Sequence, residues 1–213
     1  MAEPVPYRDQ SRRSEQGFWD QRFASDGYAY GQAPDRFLVS RVCQLTPGRA
    51  LCLAEGGGRN AVYLAKQGFQ VTAQDFSPQG LRLAQDLAKR RGVELTCVQM
   101  DLAEFVPPAA SVDLVVAIWM HLPPTLRNTV HRRASIALKP GGDLILVAFT
   151  PRQLLHQTGG PSMASWLVEP AQLRQDFADL DCLVLEEVTT LLEDGPAHQG
   201  RSAVVRLHAR KQR

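Results

Sequence analysis

The stretch Leu51–Asn60, LCLAEGGGRN, decides the fold. A short apolar run, bounded by Ala50 and Ala54, reads as a buried strand. It stops at three consecutive glycines, and Arg59 to Gln67 then returns to helical spacing with Gly68 as its stop. Glycines lack a Cβ, so a strand that turns sharply into a helix through them lets a ligand approach the backbone. The free N–H groups and positive dipole end of that helix point at the same space. A tight turn with no ligand is the plainer alternative. The one acid beside the turn is Glu55, between Ala54 and Gly56.

Outward from this turn the same rhythm repeats. Phe69 to Gln74 reads as a second strand, and Ser77-Pro78 as an N-cap with proline at the first helical position, opening a helix to Arg91-Gly92. Glu94 to Gln99 is expected to be a third strand and Val112 to Ile118 a fourth. Pro124 to Leu138 is helical, Lys139-Pro140-Gly141-Gly142 stops it, and Asp143 to Phe149 is a fifth strand. Strands alternating with helices imply a parallel sheet covered on both faces. After a helix over Glu169 to Phe177, two runs, Cys182 to Thr190 and Arg201 to His208, are joined by the polar loop LLEDGPAHQG. That loop is too short for a crossover helix, so the pair is antiparallel. Upstream, Glu15 to Phe23 reads as a short helix, SDGYAYGQAP as an aromatic turn-rich loop, and Asp35 to Leu45 as a second helix. Residues 1–14 are polar and are expected to be disordered, leaving one domain over residues 15–213.

Composition narrows the function classes. The chain has 213 residues, 44% hydrophobic and 22% charged, as a soluble globular domain does. A net charge of +2 does not argue for nucleic acid, and the clusters Arg12-Arg13, Arg132-Arg133 and Arg210-Lys211-Gln212-Arg213 read as solvated faces. Cys43, Cys52, Cys97 and Cys182 have no metal-ligand spacing and suit a reducing compartment, so no metal is expected. The longest uncharged apolar run, Leu114 to Met120, is too short for a bilayer span, and the N-terminus lacks a signal-peptide core. A cytoplasmic monomer or weak dimer, with no nucleic-acid or membrane partner, is the expectation.

Asp75 follows the glycines by about twenty residues, the place from which a carboxylate takes ribose hydroxyls. Gly56-x-Gly58-x-x-Ala61 also satisfies the dinucleotide fingerprint with alanine third, so the motif alone fits NAD as well as another adenosine cofactor. Asp101, in VQMDLAEF, follows the third strand, where a carboxylate accepts from an adenine amino group. Either aspartate is also read as a helix-start or turn residue.

With VQMDLAEF, VDLVVAIWMHLPP and LKPGG in place, the chain resembles the class I S-adenosylmethionine-dependent methyltransferases from about Trp19 to the C-terminus. Within them, FWDQRFASDGYAYGQAPDRFL, EGGGRNAVYLA, HLPP, TGGP and HQG resemble the tellurite-resistance and thiopurine-methyltransferase-like group. The resemblance implies a three-layer αβα Rossmann-like sandwich, with a mostly parallel seven-stranded sheet and an antiparallel last strand. It implies S-adenosylmethionine as cofactor, a small-molecule nucleophile as acceptor, and a helical lid over about residues 15–45. Glu55, Gly56, Gly58 and Asn60 would line the methionine and ribose, with Tyr30 from the lid at the methionine end. Asp75 would take the ribose diol with Phe76 beside the adenosine. Asp101 and Leu102 would flank adenine, and Ile118 and Trp119 would sit beneath the sulfonium. Family members often carry an acid within the first strand; here Cys52 takes that place, and Glu55 is the available substitute for holding the ammonium.

Methyl transfer is an in-line displacement, to which alignment contributes much and a base contributes only when the nucleophile arrives protonated. His121, directly after the fourth strand, is the candidate polar group beside the methyl, or else a turn-capping histidine. Tyr28, Phe149 and His198 are candidates for contact with the substrate, the tyrosine and phenylalanine within an aromatic wall and His198 on a loop folding over the same face. Arg22 and Arg59 either attract an anionic substrate or pair with acids. Two other readings remain open: a nicotinamide-dependent oxidoreductase, and a non-catalytic S-adenosylmethionine-binding protein.

Overall fold

The computed structural model describes residues 8–156 and 158–213. Helices α1 (Arg8–Asp26) and α2 (Arg36–Val42) precede an alternating series: β1 (Arg49–Leu53), α3 (Arg59–Lys66), β2 (Gln70–Asp75), α4 (Pro78–Arg91), β3 (Thr96–Gln99), β4 (Val112–Ile118), α5 (Pro124–Ala137) and β5 (Leu138–Phe149). After two short 3-10 turns come α6 (Pro170–Asp176), β6 (Leu180–Gly195) and β7 (His198–Lys211). The seven strands form one sheet in the order β3-β2-β1-β4-β5-β7-β6. The pairs from β3 to β5 are parallel, and β7 runs antiparallel to both its neighbours. The strand order reverses between β1 and β4, and the crevice there is where open α/β sheets hold ligands.

The central strands are apolar at nearly every position because both faces are covered. In β1, Leu51 and Leu53 join the core beneath α5 and α6, while Ala50 and Cys52 join the core beneath α2 and α3. The same alternation places Val115 and Ala117 of β4 on the first side and Leu114, Val116 and Ile118 on the second. Helix starts follow the capping chemistry of the sequence. Asp35 accepts the Phe37 and Leu38 amides, Ser77 accepts that of Gly80 ahead of α4, and Gly92 closes α4 in the left-handed conformation.

Three boundaries differ from the expected ones, each for a physical reason. Helix α1 spans Arg8–Asp26 instead of beginning near Glu15, so residues 8–14, expected to be disordered, are helical; residues 1–7 lie outside the described residues. The helix is anchored on α4: Gln16 donates to the Phe76 carbonyl, and Asp20 accepts from the Ser77 hydroxyl. LKPGG does not stop the chain ahead of β5 but forms the start of that strand, with a register shift between Val112 and Leu114. Lys139 pairs with Asp113 across that irregularity at 2.8 Å. Finally, LLEDGPAHQG is hairpin, not loop. β6 and β7 continue until Gly195 pairs with His198, and the Ala197 amide donates to the Ala29 carbonyl at 2.9 Å. A polar tip that docks on another segment leaves no hydrophobic pattern to read.

Candidate active site

A cleft of about 650 Å³ opens at the carboxyl ends of β1, β2, β4 and β5, roofed by α1, the Gly27–Gly31 segment and the β6–β7 tip. Fifteen of the seventeen named candidates border it: Arg22, Tyr28, Tyr30, Glu55, Gly56, Arg59, Asn60, Asp75, Phe76, Leu102, Ile118, Trp119, His121, Phe149 and His198, whereas Gly58 and Asp101 do not. Asp101 instead accepts the Ala103 amide at 2.8 Å within a turn, the plainer of its two readings. Gly58 faces α4: a Cβ there would lie 2.6 Å from the Ala84 Cα. Gly56, although it borders the cleft, is constrained by packing too, since a Cβ would lie 2.7 Å from the Phe23 ring.

Two carboxylates organise the glycine turn. Glu55 Oε1 accepts the amides of Asn60 and Ala61 at 2.9 and 2.8 Å, capping the first turn of α3. Asp75 accepts the Gly56 amide through Oδ2 and the Ser77 amide through Oδ1, both at 2.8 Å. Burial raises Glu55 from 4.5 to about 7, and raises Asp75 from 3.8 to about 6, against the opposing pull of these amides. The helix N-terminus at this turn is thus already closed by an acid. That arrangement repels a pyrophosphate, which needs those free amides, and suits a cation. Cys52, fully buried on the α2–α3 side of the sheet, does not border the cleft.

The opposite end of the cleft is aromatic. Trp119, with φ of 62° at the end of β4, has its ring 4.6 Å from Phe149 and 4.8 Å from His198. Tyr30 lies 4.7 Å from His198 and 5.9 Å from Trp19. Hydrogen bonds fix His121 and Tyr28, with His121 taking the turn-capping alternative. His121 Nδ1 donates to the Trp119 carbonyl at 3.1 Å, and its Nε2 accepts the Phe149 amide at 3.0 Å. Both ring nitrogens are therefore engaged, and burial lowers the ring to about 4, so it is a neutral structural cap and not a base. Tyr28 borders the cleft with its ring, but its hydroxyl donates to the Leu83 carbonyl and accepts from Arg90. His121→Ala should lower stability by about 1–3 kcal/mol, the cost of an unsatisfied buried amide, as read by urea denaturation. The neutral-pH limb of the activity profile should not move.

His198 is 5% exposed, not on an open loop, because the longer hairpin carries it under the roof. Arg59 is buried and pairs with Asp194 at 3.0 Å while donating to the Tyr30 carbonyl at 2.9 Å. This ties α3, the roof and the hairpin tip together, with Arg59 bordering the cleft as half of an ion pair. Asp194 and the cleft-lining Trp166 were not singled out from sequence; the only signal for Asp194 was an acid four residues before His198. Gly160 and Pro161 of TGGP complete the wall. Among the described residues no cluster of His, Cys, Asp or Glu is placed to hold a metal ion, and no helix is long and apolar enough to cross a membrane.

Residues 50–142 match the family model of the methyltransferase domain. The demethylmenaquinone methyltransferase of Thermus thermophilus is 28% identical over 123 residues, 54% of this chain and 54% of that protein. The chain thus spans about half the length of the curated relative it matches. TehB from Haemophilus influenzae superposes with a TM-score of 0.70 at 19% identity, covering 91% of this chain and 67% of that one. The Burkholderia thailandensis 1,6-didemethyltoxoflavin-N1-methyltransferase, solved with its substrate and S-adenosylhomocysteine bound, gives a TM-score of 0.69 at 18% identity. It covers 100% of this chain and 94% of that one. The fold is the one these solved methyltransferase structures share, and the segment from Ala50 to Gly142 carries the match to the methyltransferase-domain model.

Proposed function

We propose that the protein binds S-adenosylmethionine and transfers its methyl group to a small molecule seated among the aromatic side chains of the cleft. The observation that carries this reading is Glu55. A carboxylate that caps α3 beside a second buried carboxylate places two acids at the glycine turn, where the cationic end of a ligand would lie. The cofactor brings an ammonium group and a sulfonium. Glu55 would hold the ammonium, Asp75 the ribose hydroxyls through lone pairs its two amide bonds leave free, and Phe76, Leu102 and Ile118 the adenine. Trp119 and Tyr30 would face the sulfonium, whose charge their rings favour. When bound, the cofactor supplies an electrophilic methyl group; the chain supplies alignment and a dry, apolar chamber.

The nicotinamide reading loses ground on the same residue, because Glu55 occupies the amides a pyrophosphate would need. Calorimetry with S-adenosylhomocysteine and NADH separates the two. S-adenosylhomocysteine should bind with micromolar affinity or better and NADH should give no heat; the reverse pattern would sink the proposal.

A further inference from the structure

We propose that His198 accepts the proton of the methyl acceptor, and that this acceptor is a flat molecule presenting a hydroxyl, thiol or ring N–H. The inference rests on the methyltransferase reading and adds the class of substrate to it. His198 is held edge-on by three rings, Tyr30, Trp119 and Phe149, at centroid distances of 4.7, 4.8 and 5.7 Å. Its Nδ1 is buried and has no hydrogen-bond partner, so the Nε2 side of the ring is the edge left to meet a ligand. The nearest acid to Nδ1 is Asp194 Oδ2 at 3.9 Å, beyond hydrogen-bond reach but close enough for its charge to favour a proton on Nδ1. Arg59 holds that carboxylate in place at 3.0 Å. The lone pair is thereby left on Nε2, which is the tautomer a proton acceptor needs.

The groups around the ring keep it uncharged. Burial opposes the imidazolium most strongly; Arg59 from α3 and Arg22 from α1 also oppose it, while Asp194 from β6 favours it, and the net shift is downward. His121, packed on the far side of Phe149, is itself neutral with both nitrogens bonded. The ring therefore offers a proton acceptor and not a cation, which suits a substrate that arrives protonated; the cations bordering the same cleft are Arg22 and Arg59. Trp119 Nε1 is a second buried atom without a partner, in the ring 4.8 Å from that of His198. In the step itself the bond from the methyl carbon to the acceptor atom forms as the carbon–sulfur bond breaks. The electrons of that bond return to sulfur, and the acceptor's proton passes to Nε2. The site carries one positive charge before and after, first on sulfur and then on the imidazole.

Wild type, His198→Gln and His198→Ala are assayed with 2-naphthol and with tellurite as probe acceptors, alongside calorimetry with S-adenosylhomocysteine. Transfer to 2-naphthol near pH 7 should fall at least about 100-fold in both variants, the range of general-base contributions, with S-adenosylhomocysteine affinity within about twofold of wild type. The deficit should shrink near pH 10, where a phenol ionises unaided. Equal rates at pH 7, or methylation of tellurite but not 2-naphthol by the wild type, would overturn the proposal. Imidazole nitrogen chemical shifts of His198 in the S-adenosylhomocysteine complex give a readout independent of turnover. A neutral Nδ1–H ring at pH 7 is expected, and an Nε2–H or charged ring overturns the proposal even if no probe reacts. Failure of the wild type to bind S-adenosylhomocysteine would instead remove the methyltransferase reading itself.

Discussion

Glu55→Gln should weaken S-adenosylhomocysteine by roughly 10- to 100-fold at pH 8, the worth of one charge-assisted hydrogen bond, while leaving the fold intact. Glutamine keeps an oxygen where Oε1 accepts the Asn60 and Ala61 amides, so the cap on α3 survives and only the charge is lost. The pH dependence follows with its sign. Glu55 has a folded-state pKa of about 7, raised from 4.5 by burial, so across that interval the folded protein holds more protons than the unfolded chain. Its contribution to stability is present in full below the ordinary carboxylate value and is lost as pH rises through about 7. Asp75, raised to about 6, acts in the same direction. A cationic ligand wants the opposite state, so affinity should rise between about pH 5.5 and 8, with protons released on binding in the middle of that range. Glu55→Gln should flatten the affinity profile and raise apo stability at pH 8. Isothermal titration in buffers of different ionisation enthalpy reads the affinities and the released protons, and urea denaturation the apo stability; a pH-independent affinity in the wild type would remove Glu55 from the ammonium site.

Cys52→Ser supplies the contrast. The thiol lies on the α2–α3 side of the sheet, fully buried and off the cleft. A hydroxyl there should cost about 1–3 kcal/mol of stability by thermal or urea denaturation, and because the Cys52 side chain interacts with Glu55 its ligand affinity should fall, but less than in Glu55→Gln. A large loss of S-adenosylhomocysteine affinity in Cys52→Ser would restore the first-strand position to the site.

The sheet was legible in the sequence because strands covered on both faces leave continuous apolar runs between turn signals, as in Val112–Ile118. Ser77-Pro78 and Gly92 marked α4 by capping chemistry that is local to the chain. The roof was less legible. The β6–β7 tip is polar, and it is ordered by contacts to residues far away in sequence, Asp194 to Arg59 and Ala197 to Ala29. No local pattern records such contacts, so His198 read as a loop residue when it is a buried residue of β7. His121 failed in the other direction. Its position after β4 suggested chemistry, but the β5 backbone amide that occupies Nε2 is invisible until the sheet is assembled.

Gly58→Ala should destabilise the protein by about 2–5 kcal/mol, the sum of a left-handed alanine and an overpacked contact. Gly58 has φ of 84°, and the new Cβ would stand 2.6 Å from both the Cα and the Cβ of Ala84. Relief would require α3 and α4 to separate, and the first turn of α3 carries the Glu55 cap, so the change reaches the site only through the fold. Gly57→Ala is the informative partner. A Cβ there meets nothing closer than the Tyr28 ring at 3.6 Å, yet Gly57 borders the cleft and Gly58 does not. Its stability should change by no more than about 1 kcal/mol, the scale of a glycine-to-alanine change where φ is not positive. Urea denaturation of both variants, with S-adenosylhomocysteine titrated into whatever remains folded, separates the two demands on the triple glycine. If helix packing selects Gly58 and ligand approach selects Gly57, the first variant loses stability at constant affinity and the second loses affinity at nearly constant stability. The same loss of affinity in both, without unfolding of the first, would return all three glycines to the role of a cofactor floor.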